Sequence, residues 1–195
     1  MINLGCDIDD VLLNTAPSIV SNLETLVDRK IDIDKITNFD ISESTGIDID
    51  IVKKAVKMTL ESDYIHPIKN AVTVLNWLGT LYKPIYFISN KRPYLYKHNI
   101  NIINKVGITC DYELYFCDKI NDIPNKSDII LDHKINIFIE DRPETIYDIY
   151  EKTKCDILTF RQPWNRNIKF RDRIHIMYDW IDIRNYFINE LKLKR

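Results

Sequence analysis

The feature that most constrains this chain is a series of short apolar runs that stop abruptly at polar residues. Residues 2–6 end at Asp7, residues 84–88 at Ser89, and residues 136–139 at Glu140-Asp141; residues 113–117 and 155–160 are two further runs. Runs of this length, bounded by polar residues, read as buried strands. Helical patterns lie between them. Val72, Leu75, Leu78 and Leu81 recur at a spacing of three, and Pro93 opens a helix through Val106 with Gly107 just beyond it. Residues 127–134, 144–152 and 178–191 read as three more helices. Alternating strands and helices predict an α/β fold with a mainly parallel sheet.

One segment breaks the alternation. Residues 16–63 read as two helices, about 17–29 and 50–61, joined by a polar loop. This predicts a small helical cap inserted after the first strand, with residues 1–15 and 64–195 forming the core domain. A chain of 195 residues suits one such domain, large enough to bury about 70% of its unfolded surface without staples.

In open parallel sheets, ligands bind beyond the carboxyl ends of the strands. Three of the predicted strands end there in Asp7, Ser89 and Glu140-Asp141, groups that bind metal or phosphate. The chain has only four glycines, where average usage would give roughly fourteen. No two lie close enough for a glycine-rich phosphate loop, so any grip on phosphate must come from side chains and a metal.

Other classes are excluded or disfavoured. The formal net charge of −2 gives no global attraction to nucleic acid or an anionic membrane, so long nucleic acid is not an expected partner. The basic residues of 192–195 read as a short solvated tail. The cysteines at 6, 110, 117 and 155 form no C-x-x-C pair, and the histidines at 66, 98, 133 and 175 add no zinc spacing. Scattered thiols, no apparent signal peptide and no apolar run of membrane-spanning length predict a cytoplasmic protein.

The triplet Asp-Ile-Asp occurs three times, at 7–9, 32–34 and 48–50. The latter two lack the glycine and glutamate of a calcium loop and read as solvated turns. Asp7 differs because it follows an apolar strand and precedes the apolar Val11-Leu12-Leu13. Asp7, Asp9 and Asp10 at the end of a buried strand repel one another unless a cation neutralises them.

With these residues in view, the sequence resembles the haloacid dehalogenase-like phosphohydrolases. Four motifs carry the resemblance: Asp7-x-Asp9-x-Val11 after an apolar strand, Ser89 at the end of a second, Lys126 near a later helix start, and Glu140-Asp141 closing a further strand. Residues 38–43, 88–93, 139–143 and 162–166 extend the resemblance to the 5'(3')-deoxyribonucleotidase branch. The resemblance implies a Rossmann-like three-layer sandwich bearing the helical cap. It implies that Asp7 is a nucleophile forming an aspartyl-phosphate and that Asp9 is the general acid and base. Mg2+ would be held by Asp7, the Asp9 backbone carbonyl and Asp141, with Glu140 just behind. Ser89, the backbone N–H of Asn90 and Lys126 would hold the transferred oxygens; Lys119 and Lys134 are alternatives to Lys126. Phe39, Tyr64 or Trp164 could stack on a base, and Arg92 could support phosphate or substrate.

The function expected on this basis is hydrolysis of a nucleoside monophosphate. The alternatives are a phosphatase of the same superfamily acting on sugar phosphates or nucleic-acid 3'-phosphates, and a non-catalytic metal- or phosphate-binding module.

Overall fold

The structure, a computed structural model, describes residues 2–91, 93–117, 124–169 and 171–193. The first strand, β1 (Leu4–Cys6), leads into α1 (Thr15–Val27), α2 (Ile41–Thr45) and α3 (Ile49–Leu60). The chain then runs through α4 (Ala71–Leu81), β2 (Ile85–Ser89), α5 (Tyr96–Lys105), β3 (Tyr112–Phe116), α6 (Lys126–Asp132), β4 (Ile137–Glu140) and α7 (Pro143–Lys152). It closes with β5 (Asp156–Phe160), β6 (Ile174–Met177) and α8 (Trp180–Leu193). The strands form one sheet in the order β3-β2-β1-β4-β5-β6, and every adjacent pair is parallel.

Both faces of the sheet are covered, which explains the unbroken apolar runs. Side chains alternate across a strand. On β4, Ile137 and Ile139 join one core with Leu75, Ile102 and Trp180, whereas Phe138 joins the other with Ile130, Ile146 and Ile149. Helices α4, α5 and α8 therefore pack on one face, and α6 and α7 on the other. This is the α/β fold with a parallel sheet that the alternation predicts, and the three-layer Rossmann-like sandwich that the resemblance implies.

The segment between β1 and α4 has an apolar cluster of its own, formed by Ile19 and Leu23 of α1, Ile47, and Val52 and Ala55 of α3. Its exit and return are pinned side by side: the Asn14 amide donates to the His66 carbonyl at 2.9 Å, and the Ile68 amide to the Leu12 carbonyl at 2.8 Å.

The structure differs from the sequence reading in three places. The polar loop between the cap helices contains α2, whose N-terminus is capped by Asp40 accepting from the Ser42 and Glu43 amides, and a single 3-10 turn at Ile33–Lys35. Such short elements rest on local caps rather than on an apolar repeat, so periodicity does not show them. The helix opened by Pro93 begins as a 3-10 turn, Pro93–Leu95. Strand β6 was not expected. It is a four-residue edge strand, and its two middle residues, His175 and Ile176, are only partly buried, so it carries no continuous apolar signal.

Gly79 lies in mid-helix, where glycine is disfavoured. A Cβ there would sit 2.2 Å from the Cβ of Cys110, so α4 approaches the segment before β3 too closely for any side chain. Gly5 meets the same constraint in β1, where a Cβ would lie 2.5 Å from the Phe138 ring. Replacing Gly79 by Ala is expected to cost about 1–3 kcal/mol through overpacking, despite the better helix propensity of Ala. Urea unfolding of G79A should show a lowered midpoint, and an unchanged or raised midpoint would contradict this packing.

Candidate active site

Because all strands run the same way, the polar residues that end β1, β2 and β4 emerge on one edge of the sheet. Strand β1 is hydrogen-bonded to both β2 and β4, with Cys6 paired to Phe87 and to Ile139. One residue further on, Asp7 lies beside Glu140, and its amide donates to the Ile139 carbonyl at 2.9 Å. This is also where the strand order reverses, the usual position of a ligand crevice in such sheets.

The centre of the site is a buried ion cluster. Lys126, at the first turn of α6, places its Nζ 2.7 Å from Asp7 Oδ2 and 2.7 Å from Glu140 Oε2. Its side chain is 2% exposed and that of Glu140 is 0% exposed. Burial alone would lower the pKa of the Lys126 ammonium, but the Asp7 and Glu140 charges outweigh this and raise it. Glu140 Oε1 accepts from the backbone amides of Asp141 and Arg142, both at 3.0 Å. Both Glu140 oxygens are thus engaged.

Asp141 is held from the other side. The Trp164 indole donates to Asp141 Oδ2 at 2.9 Å, and the Asn165 amide group donates to the Asp141 carbonyl at 2.9 Å. Asp7, Glu140 and Asp141 each place a carboxylate oxygen within 4.8 Å of the others, all three residues buried. Burial pushes the Asp7 and Asp141 carboxyls well above their ordinary range; neighbouring acids push the same way, and at Asp7 the Lys126 ammonium opposes this. Asp10, whose Oδ1 accepts from the Ala16 amide at 2.7 Å, is pushed by burial to about 7. Compact oxygen donors with an excess of negative charge fit a hard divalent cation such as Mg2+.

Asp9 stands on the opposite side of Asp7 from Glu140. Its Oδ1 accepts from Thr15 Oγ1 at 2.7 Å and pairs with Lys91 Nζ at 2.9 Å, while Ser89 Oγ lies 3.4 Å from Oδ2. A cavity of about 1050 Å³ opens over these groups, between the sheet edge and the cap. Asp7, Asp9, Asp141, Asn90 and Lys91 line its floor, and Phe39 and residues of α3 line the cap side.

Most of the residues singled out in the sequence meet here. Asp7, Lys126, Glu140, Asp141 and Trp164 form one connected group, Asp9 and Ser89 meet beside it, and Asn90 lines the same cavity as Asp7 and Asp9. Trp164 is 9% exposed and its indole N–H is committed to Asp141. Phe39 lines the cavity with the Arg142 guanidinium 4.2 Å from its ring centroid. Tyr64 instead packs edge-on against His66 and is not among the residues that line the cavity. Lys134 precedes β4, at the end of the sheet remote from Asp7. Arg92, Lys119, Lys194 and Arg195 lie outside the described residues. Sequence reasoning missed Thr15, Lys91, Asn99 and Asn165. Lys91 stands two residues beyond Ser89, but nothing in a linear pattern shows that its ammonium turns back onto Asp9.

No protein-family model matches the sequence, and no curated relative does. Solved structures do match. A haloacid dehalogenase-like family hydrolase from Streptococcus pneumoniae superposes with a TM-score of 0.64 at 14% identity, covering 96% of this chain and 98% of that one. The chain has the haloacid dehalogenase-like fold. A HAD family hydrolase from Deinococcus radiodurans, with bound phosphate and sodium, gives a TM-score of 0.64 at 12% identity over 96% of this chain and 95% of its own. A protein from Haemophilus somnus described as a predicted phosphoglycolate phosphatase gives 0.63 at 15% identity, covering 95% and 97%. Among the described residues, no helix of the chain is long and apolar enough to cross a membrane.

The raised carboxyls set a pH dependence. Asp7, Asp10 and Asp141 have folded pKa values above the unfolded value of about 3.9. Their contribution to stability is therefore full below about pH 4 and is lost as pH rises through the folded values, near 7 for Asp10. In chelator, thermal stability should fall between pH 5 and pH 8. Added Mg2+ should raise the melting temperature more at pH 8 than at pH 5, since protons compete with the cation for the same carboxylates. A larger magnesium effect at pH 5 would contradict this reading.

Proposed function

We propose that this protein is a magnesium-dependent phosphomonoesterase that hydrolyses a small phosphorylated substrate, a nucleoside monophosphate in the finer reading. The observation that carries the proposal is the Asp7 carboxylate. It is buried at the end of a central strand, bonded to Lys126, grouped with Asp141 and Glu140, and flanked by a second carboxylate, Asp9, at the floor of a cavity.

In this reading an Asp7 oxygen attacks phosphorus as the ester bond breaks, giving an aspartyl-phosphate, and Asp9 protonates the departing oxygen. Asp9 then takes a proton from water as that water attacks phosphorus, releasing phosphate and restoring Asp7. A carboxylate approaching a phosphate dianion is repelled by about 4 kcal/mol per charge pair at 4 Å and an effective dielectric near 20. Magnesium, when bound, supplies the neutralising charge, and Asp7, the Asp9 carbonyl and Asp141 would hold it. Glu140 suits a supporting place, because its oxygens already serve Lys126 and two backbone amides. Lys126 and Ser89 would steady the transferred oxygens, the preorganised charge on which phosphoryl transfer depends.

The apolar wall of the cavity supports a nucleoside. Ile36, Ile41, Ile49, Val52, Val56 and Leu60 line its cap side and suit the faces of a base. A sugar or small acid phosphate is the second reading, favoured by the polar Asn38, Lys53, Lys57 and Glu61 in the same cavity and by the predicted phosphoglycolate phosphatase among the fold neighbours. The four cysteines are free, which supports a reducing compartment such as the cytoplasm.

Asp7→Asn should keep the fold and lower magnesium-dependent phosphate release by at least about 10⁴-fold, as loss of a nucleophile does; retained turnover would sink the assignment. A chelator should abolish wild-type turnover. Phosphate release across nucleoside monophosphates and sugar phosphates separates the two substrate readings, and a clear preference for sugar phosphates would overturn the nucleotidase one.

A further inference from the structure

Lys91 is a buried ammonium that the roles given so far leave unused. Its side chain is 5% exposed, and Nζ has two partners at 2.9 Å, Asp9 Oδ1 and Asn99 Oδ1. Asn99 lies in α5 and is 1% exposed, and its own amide group donates to the Leu95 carbonyl at 2.9 Å. The cation is therefore fixed from behind by α5 and faces Asp9.

The consequence for Asp9 is an asymmetry between its oxygens. Oδ1 receives both close donors, Thr15 Oγ1 at 2.7 Å and Lys91 Nζ at 2.9 Å. Among the described residues, Oδ2 has only Ser89 Oγ at 3.4 Å, beyond the usual O–H···O range. A proton on Oδ1 would have to displace a hydroxyl or an ammonium; Oδ2 has no such competitor.

We infer that Lys91, anchored by Asn99, is a positioning residue that orients Asp9 so that Oδ2 delivers the proton to the leaving ester oxygen. This rests on the phosphomonoesterase reading above. In the step concerned the Oδ2–H bond breaks and the proton passes to the ester oxygen. That oxygen keeps the electron pair of the breaking P–O bond while Asp7 forms the new bond to phosphorus.

The test exploits the leaving group. Nitrophenolate departs without a proton, whereas an alkoxide needs one. The probes are p-nitrophenyl phosphate and benzyl phosphate, of similar size, compared by kcat/KM with magnesium present. This parameter reports steps up to departure of the alcohol and excludes hydrolysis of the aspartyl-phosphate. Lys91→Met should lower kcat/KM for benzyl phosphate by about 10²-fold or more, within the range typical of general acid catalysis, and for p-nitrophenyl phosphate by less than about fivefold. Lys91→Arg, which keeps a cation, should recover much of the benzyl phosphate activity. If Lys91→Met does not fold, Asn99→Ala leaves the cation in place but frees its anchor, and should show the same selectivity at a smaller size. Equal losses on both esters, as expected if Lys91 touched the phosphoryl group or were only structural, would overturn the inference, and so would no loss on benzyl phosphate. A wild-type protein that turns over neither ester would instead overturn the phosphomonoesterase reading itself, and this inference with it.

Discussion

The site depends on one buried contact, the Lys126 ammonium held between Asp7 and Glu140 across the junction of β1 and β4. Removing a charge from water is costly, and a buried ammonium is tolerated only where geometry and hydrogen bonding are good. Here each contact is 2.7 Å, and the second oxygen of Glu140 is taken by backbone amides at the turn into α7. The cluster ties the start of α6 to two neighbouring strands. It also leaves Asp7 and Asp141 close together, and a second buried ammonium, Lys91, pairs with Asp9 instead, an imbalance suited to a divalent ion.

The same edge of the sheet joins the core to the cap. The Arg142 guanidinium, one residue beyond Asp141, lies over the Phe39 ring, and Arg166 reaches Asp34 at 3.3 Å. Both contacts pair a residue next to the acidic cluster, or next to Trp164-Asn165, with an otherwise exposed cap loop. Exposed ion pairs are worth little in energy, so the Arg166–Asp34 contact adds little to the stability of this junction. The paired strands of chain at Asn14–His66 and Leu12–Ile68 supply the fixed end of that arrangement. In the proposed reading a phosphate would meet side chains and a metal at the strand ends, so a chain with four glycines would need no glycine-rich loop.

Much of this was legible in the sequence. The runs ending at Asp7, Ser89 and Glu140-Asp141 showed buried parallel strands and marked the side on which chemistry would lie. The signal was strong because strands covered on both faces must be apolar throughout, so a terminal acid stands out. Strand β6 escaped because an edge strand has no such requirement, and α2 because a five-residue helix is set by its cap. Gly79 had no explanation in the sequence; the Cys110 Cβ that forbids a side chain there is 31 positions away in the chain, brought close by packing alone.

What the sequence by itself determined was local: the central strands and the longer helices, which residues sit at the ends of β1, β2 and β4, and that no glycine loop could bind phosphate. Periodicity and chain neighbours decide such things. Tertiary structure alone decided the partnerships. Strand order put β1 between β2 and β4, and this made Lys126 rather than Lys134 the ammonium beside Asp7. Packing of α5 turned Lys91 onto Asp9, and the loop after β5 brought Trp164 onto Asp141. Those contacts join residues far apart in the chain or point a side chain in a direction that no linear spacing encodes, because they exist only once both faces of the sheet are covered.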